Sequence, residues 1–147
     1  MDKRKEMNDG EYPALAPSEE SAIIRRFNGL MKYIHGWAKD KGWWDKAKHE
    51  CACKKCGEIN FVEIERNVPE QLALMHSEIS EALEGYRHND AMSDKIPEFT
   101  AMEEELADAI IRMLDTAGAL KLRIGEALVA KLQYNLTRPY RHGGKKA

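Results

Sequence analysis

The chain has 147 residues, 43% of them apolar and 33% charged, which fits one domain with a core of its own and no need of disulfide staples. No run of 18 apolar residues exists and the first 20 residues hold no apolar stretch of a leader type, so neither a membrane span nor a secretory signal is expected. Lys plus Arg number 23 against 25 Asp plus Glu, a net charge of −2, whereas general nucleic-acid binders carry a basic excess. The charge is unevenly spread: residues 70–108 hold eleven acids and two bases, and residues 131–147 hold five bases and no acid. An acidic middle suits a cation and a basic end suits anions, although solvated helix faces also drift in charge.

Residues 1–17, with Gly10, Pro13 and Pro17, read as a loose N-terminal arm. From Ser18 to about Lys41 the apolar residues Ile23, Phe27, Leu30, Ile34 and Trp37 recur at helical spacing, and Gly42 is a suitable stop. Trp43 and Trp44 then open a connection running to Asn67, an insertion at about 45–67. Its stretch INFVEIE reads equally as a short strand or an extended loop. A second helix starts at Pro69, with Leu72, Met75, Ile79, Ala82 and Tyr86 as its stripe, and ends between Gly85 and Asn89. A third begins near Pro97 and runs to about Gly118 or a little past it, lined by Phe99, Met102, Leu106, Ala109, Met113 and Ala117. A fourth spans about Ile124–Thr137, lined by Ile124, Leu128, Leu132 and Leu136 and stopped by Pro139. Four helices with no convincing sheet give an all-α, four-helix-type bundle. A basic tail closes the chain at 143–147.

The three cysteines all fall between 51 and 56, which is no secreted disulfide framework, so a reducing, cytoplasmic location is expected. Cys53-x-x-Cys56-Gly57 resembles one knuckle of a zinc site. Completing it within the chain requires His49 and Cys51, four ligands inside eight residues, with the second knuckle missing. A reduced loop with inert thiols is the first reading there, structural Zn²⁺ at His49, Cys51, Cys53 and Cys56 the second, and a redox pair the third.

The acids carry the stronger signal. Glu78 and Glu81 stand three apart on the second helix, and Glu105 and Asp108 three apart on the third, so each pair shares a face. At 100° per residue, Glu105 and Asp108 fall about 300° and 240° round from Met102, a narrow acidic strip continued by Arg112 on a helix otherwise apolar most of the way round. Either pair alone is an ordinary wet face. Two pairs on adjacent apolar helices are different, because unpaired buried charge costs many kcal/mol and a hard divalent cation resolves it. Mg²⁺, or Mn²⁺ in its place, takes oxygen ligands and is completed by waters and phosphates. A di-iron centre is disfavoured, since neither pair ends in His.

Glu-x-x-Glu, 23 intervening residues and Glu-x-x-Asp, with Lys131-x-x-x-Asn135 downstream, resemble the signature of the all-α nucleoside triphosphate pyrophosphohydrolases. These are the MazG-like proteins and their relatives, the dimeric dUTPases and dCTP pyrophosphatases among them. The resemblance covers 18–142 and is strongest in LALMHSEISEALEGYR, EELADAIIRMLD and KLQYNLTRPYRHGGK. It implies a bundle of that kind and Mg²⁺-dependent cleavage of a nucleoside triphosphate to monophosphate and pyrophosphate. It also implies a homodimer or homotetramer, metal binding by Glu78, Glu81, Glu105 and Asp108, and substrate contact by Lys131 and Asn135. The segment 49–67 lies outside the common pattern. Arg138, one helical step on from Asn135, is a further phosphate candidate, as are Arg141, His142, Lys145 and Lys146 more remotely. Trp43 and Trp44 are candidates for base stacking or, more commonly for such a pair, for closing a bundle end. His35 reads as surface or core. The competing classes are a non-catalytic helical interaction module, zinc-stapled in one version, and a nucleic-acid accessory protein using the basic tail.

Overall fold

The computed structural model describes residues 14–52, 55–57, 59–64, 66–89 and 91–138, with backbone only for 47–52 and 60–64. Four helices, α1 (Pro17–Asp40), α2 (Val68–Arg87), α3 (Ala101–Ala119) and α4 (Ile124–Leu136), account for most of them. Strands β1 (Ala47–Ala52) and β2 (Ile59–Ile64) form an antiparallel two-stranded hairpin between α1 and α2, in the register Ala47 opposite Ile64 to Ala52 opposite Ile59. The undecided stretch INFVEIE is thus a strand as far as Ile64. Its partner, AKHECA, has no apolar alternation to announce it. The expectation of no sheet gives way to this one hairpin, whose turn uses Gly57 at φ 74°, a conformation that costs glycine nothing.

The helix ends follow local chemistry. At the start of α1 the Ala16 N–H donates to the Glu19 carboxylate at 2.8 Å. At its end Gly42 takes φ 75°, Trp43 N–H donates to Ala38 C=O at 3.0 Å and Gly42 N–H to Lys39 C=O at 2.9 Å, the paired bonds of a Schellman stop. The start of α3 corrects the expectation of a helix from Pro97. Pro97 and Phe99 lie in the preceding loop, and Phe99 is exposed rather than on the core face. Thr100 caps the helix instead, its Oγ1 accepting from Glu103 N–H at 3.2 Å while the Glu103 carboxylate accepts from Thr100 N–H at 2.8 Å. Reciprocal capping satisfies two orphan donors at once, which Pro97 three residues earlier does not match.

The chain divides into two compact units, Met1–Gly29 with Arg123–Ala147, and Leu30–Leu122. In the first, α1 and α4 meet at Gly125, where an added Cβ would stand 3.1 Å from the Ile24 carbonyl oxygen. Gln133 donates to Glu20 at 2.6 Å and Asn28 to Glu126 at 3.3 Å across the same pair. In the second, α2 and α3 pack as an antiparallel pair and come close at Gly85, where a Cβ would stand 3.1 Å from the Met102 backbone nitrogen. The later part of α1 packs on α3 so closely at Gly118 that a Cβ there would meet the His35 Cβ at 2.6 Å. Met31, Ile34, Ala38, Ala82, Ala109, Leu114 and Ala117 form the buried apolar set of this unit.

Much of each expected stripe is not covered within the described residues. On α2, Ala82 is buried while Leu72, Ile79, Leu83 and Tyr86 are exposed, Tyr86 by 67%. On α3, Leu106, Ile110 and Met113 are exposed beside buried Ala109 and Ala117. Among the described residues no helix is long and apolar enough to cross a membrane.

Candidate metal centre

The antiparallel pair α2–α3 brings three of the four expected acids together. One carboxylate oxygen from each of Glu78, Glu105 and Asp108 lies within 4.8 Å of the other two. Glu78 is buried and the other two half-buried. The register follows from helix geometry: Glu105 and Asp108 are one turn apart on α3, and Glu78 faces them from the α2 stripe that Ala82 continues inward. Glu81, three residues on from Glu78, is exposed and outside this set. Its charge still reaches Glu105.

The electrostatics are those of crowded acids in a poorly solvated place. The Glu105 carboxyl is pushed up to about 7, first by burial, then by its hydrogen bond with Glu78 and the charge of Glu81. Arg112 answers part of the negative charge, its Nε donating to Glu78 Oε1 at 2.6 Å. From the loop between the helices, Lys95 adds a second cation. Its Nζ lies 2.6 Å from Glu104 Oε1, and that carboxylate also accepts from Ser93 Oγ. Lys95 and Ser93 hold Glu104 below its usual range, and Glu104 raises Lys95, with smaller help from Glu105 and Asp108. Ser93 Oγ in turn accepts from the Ile96 N–H at 2.9 Å and the Lys95 N–H at 3.1 Å. The loop is therefore tied to α3 beside the acid cluster.

The donor set consists only of carboxylate oxygens from adjacent helices, which fits a hard cation such as Mg²⁺ or Mn²⁺ and not a thiolate- or imidazole-seeking metal. Oxygens on one Mg²⁺ lie at most about 4.2 Å apart at bond lengths of about 2.0–2.1 Å, within reach of small side-chain torsions from the present spacing.

A polar group that the sequence reading passed over lies further along α3. Asp115 is buried and accepts from Trp44 Nε1–H with both oxygens, at 2.7 and 2.9 Å, while His35 Nδ1 stands 2.8 Å from Oδ1. The His35 and Trp44 rings meet edge to face at 5.4 Å, and the Arg66 guanidinium lies 5.3 Å from the Trp44 ring centre. The sequence held a signal: Asp115 is seven residues beyond Asp108 and three beyond Arg112, so it continues the strip of Glu105, Asp108 and Arg112 by about one more turn. Trp44 is thus tied by its edge to Asp115 and faced by Arg66. Trp43 is exposed, its ring against Trp37 at 4.9 Å.

Lys131, Asn135 and Arg138 lie on α4 and just after it, in the unit formed with residues 1–29, and all three are exposed. The Lys131 ammonium lies 4.5 Å above the Tyr134 ring. Cys56 is exposed in the hairpin turn. Cys53, the side chains of His49 and Cys51, and the tail with Arg141, His142, Lys145 and Lys146 lie outside the described residues. Compared with protein-family models, with curated proteins and with solved structures, the chain matches none.

Proposed function

We propose that this chain is a Mg²⁺-dependent nucleoside triphosphate pyrophosphohydrolase of the all-α, MazG-like kind, cleaving a triphosphate to monophosphate and pyrophosphate. The observation that carries the reading is the convergence of Glu78, Glu105 and Asp108 from two helices to within 4.8 Å of one another. Support also comes from their sequence pattern, Glu-x-x-Glu followed by Glu-x-x-Asp. Phosphoanhydride hydrolysis requires negative charge to be neutralised and a water to be aligned. A Mg²⁺ held by Glu78, Glu105 and Asp108 would supply both, neutralising negative charge and making a water more acidic. The chain's own part is to hold carboxylate oxygens toward one point between α2 and α3. Glu81, whose charge already acts on Glu105, is the fourth acid of this reading. Lys131, Asn135 and Arg138 are its phosphate and sugar contacts, and Trp43 and Trp44 its candidates beside the base.

The same reading expects the four helices to form a bundle of the pyrophosphohydrolase kind, in a homodimer or homotetramer in the cytoplasm. The exposed apolar residues of α2 and α3 are what such an oligomer would bury, since removing apolar surface from water favours association.

The test is an assay of purified protein with Mg²⁺ and each common and modified nucleoside triphosphate. The expected result is monophosphate and pyrophosphate in equal amounts from at least one of them. A chelator should abolish the reaction, and Asp108→Asn should abolish it without unfolding the chain. No product from any triphosphate contradicts the reading and favours the second one, a non-catalytic helical interaction module, for which the same exposed apolar residues speak.

A further inference from the structure

Arg112 is the one cation among the described residues in direct hydrogen-bond contact with the acid cluster. It stands four residues after Asp108 and seven after Glu105, so it continues the face that carries them. Only its Nε is engaged, with Glu78 Oε1 at 2.6 Å. Its two terminal amino groups make no hydrogen bond among the described residues, and the side chain is 39% exposed. A guanidinium that served only to neutralise a carboxylate would gain more from a two-pronged contact, which is the strong form of that pair. Here the fork is held by its inner nitrogen, and its planar pair of outer donors is left for another acceptor. That pair matches two oxygens of a phosphate in spacing and direction. Charge points the same way. With a divalent cation in the acids the cluster comes near neutrality, whereas a polyphosphate brings several further negative charges. The other nearby cation, Lys95, is already paired with Glu104.

Resting on the proposed hydrolase reading, we propose that Arg112 is a polyphosphate-binding residue of this site, anchored through Glu78 and offering its outer amino groups to the phosphate chain of the substrate. Glu78 then has two duties, to orient Arg112 through Oε1 and to serve the acid cluster that would hold the cation. The arrangement ties phosphate binding to an intact acid cluster.

The experiment uses the full chain with Mn²⁺ as the metal and inorganic tripolyphosphate as the probe, so that it does not depend on turnover. Mn²⁺ binding is measured first by electron paramagnetic resonance, then tripolyphosphate binding by calorimetry at saturating Mn²⁺. Arg112→Gln is expected to weaken tripolyphosphate binding about tenfold or more, and to leave Mn²⁺ binding unchanged or tighter because a competing positive charge has gone. Arg112→Lys, which keeps the charge but not the fork, is expected to fall between the two, and it carries the test if the glutamine variant does not fold. Where a triphosphate is turned over, the loss should appear in KM more than in kcat. Unchanged tripolyphosphate binding in both variants overturns the proposal. So does loss of Mn²⁺ binding in Arg112→Gln, which would make the residue a strut for Glu78. A wild-type chain that binds no Mn²⁺ removes the hydrolase reading itself. A wild-type chain that binds Mn²⁺ and not tripolyphosphate removes the Arg112 assignment while leaving the metal centre.

Discussion

Glu105 shows what the α2–α3 pairing does to a single side chain. In the folded chain its carboxyl is raised from 4.5 to about 7, chiefly by burial and by Glu78. The sign follows by linkage: between about pH 4.5 and 7 the folded chain keeps a proton that the unfolded chain has lost. For this group, folded stability is full below 4.5, declines as pH rises toward 7 and levels off above it. A divalent cation competes for the same oxygens, so its binding should displace the proton and strengthen with pH. The rise in melting temperature given by Mg²⁺ or Mn²⁺ should therefore be larger at pH 8 than at pH 6. A rise that does not depend on pH would place the cation away from Glu105. All four acids stood out in the sequence as two three-residue steps on adjacent helices, and three of them, Glu78, Glu105 and Asp108, come within 4.8 Å of one another. Glu81 is exposed and outside that set: spacing says which acids share a helix face, and the rotation of α2 against α3, a matter of tertiary packing, decides which of them meet. Asp115 was legible only in retrospect: its partners His35 and Trp44 come from elements distant in sequence, and no local pattern joins them.

The elements divide in the same way. Helices α1, α2 and α4 follow their apolar spacing and Gly or Pro stops to within a residue or two, because a 3.6-residue period is a local property. The start of α3 was misread because a proline is a conspicuous start signal, whereas the controlling one is Thr100-x-x-Glu103. That cap carries weight of its own: Thr100→Ala should cost about 0.5–2 kcal/mol, read as a lower midpoint in urea with unchanged slope, and no change would deny the cap its role. Glu103 and Glu104 are both held below their usual range, Glu103 by the Thr100 backbone and side chain and Glu104 by Lys95 and Ser93. Their sign is opposite to that of Glu105. What they contribute is present above pH 4.5 and is lost as pH falls below it. The hairpin was only half legible, since β2 has the β-branched and aromatic residues of a strand and β1 does not. Pairing with β2, a tertiary event, decides β1.

For the whole molecule, the telling feature is apolar surface that sequence periodicity assigns to a core and that the described chain leaves exposed. Leu72, Ile79 and Tyr86 on α2 and Leu106 and Met113 on α3 are all of this kind. Periodicity shows that a face is apolar; it does not say whether the partner is the same chain or another, which is why the stripe was foreseen and its exposure was not. The account expects a dimer or larger species in sedimentation, and Ile79→Glu should shift it toward the monomer. A wild-type monomer at all practical concentrations would leave this surface to a different partner. Beneath the hydrolase reading and the role given to Arg112 lies one claim: carboxylates from α2 and α3 share a divalent cation. It is tested most directly by titrating Mn²⁺ into the wild-type chain, Glu78→Gln and Asp108→Asn, with free Mn²⁺ followed by electron paramagnetic resonance. The account predicts saturable binding in the wild type and at least a tenfold loss of affinity in each variant. Equal binding in all three, or none in the wild type, would contradict it.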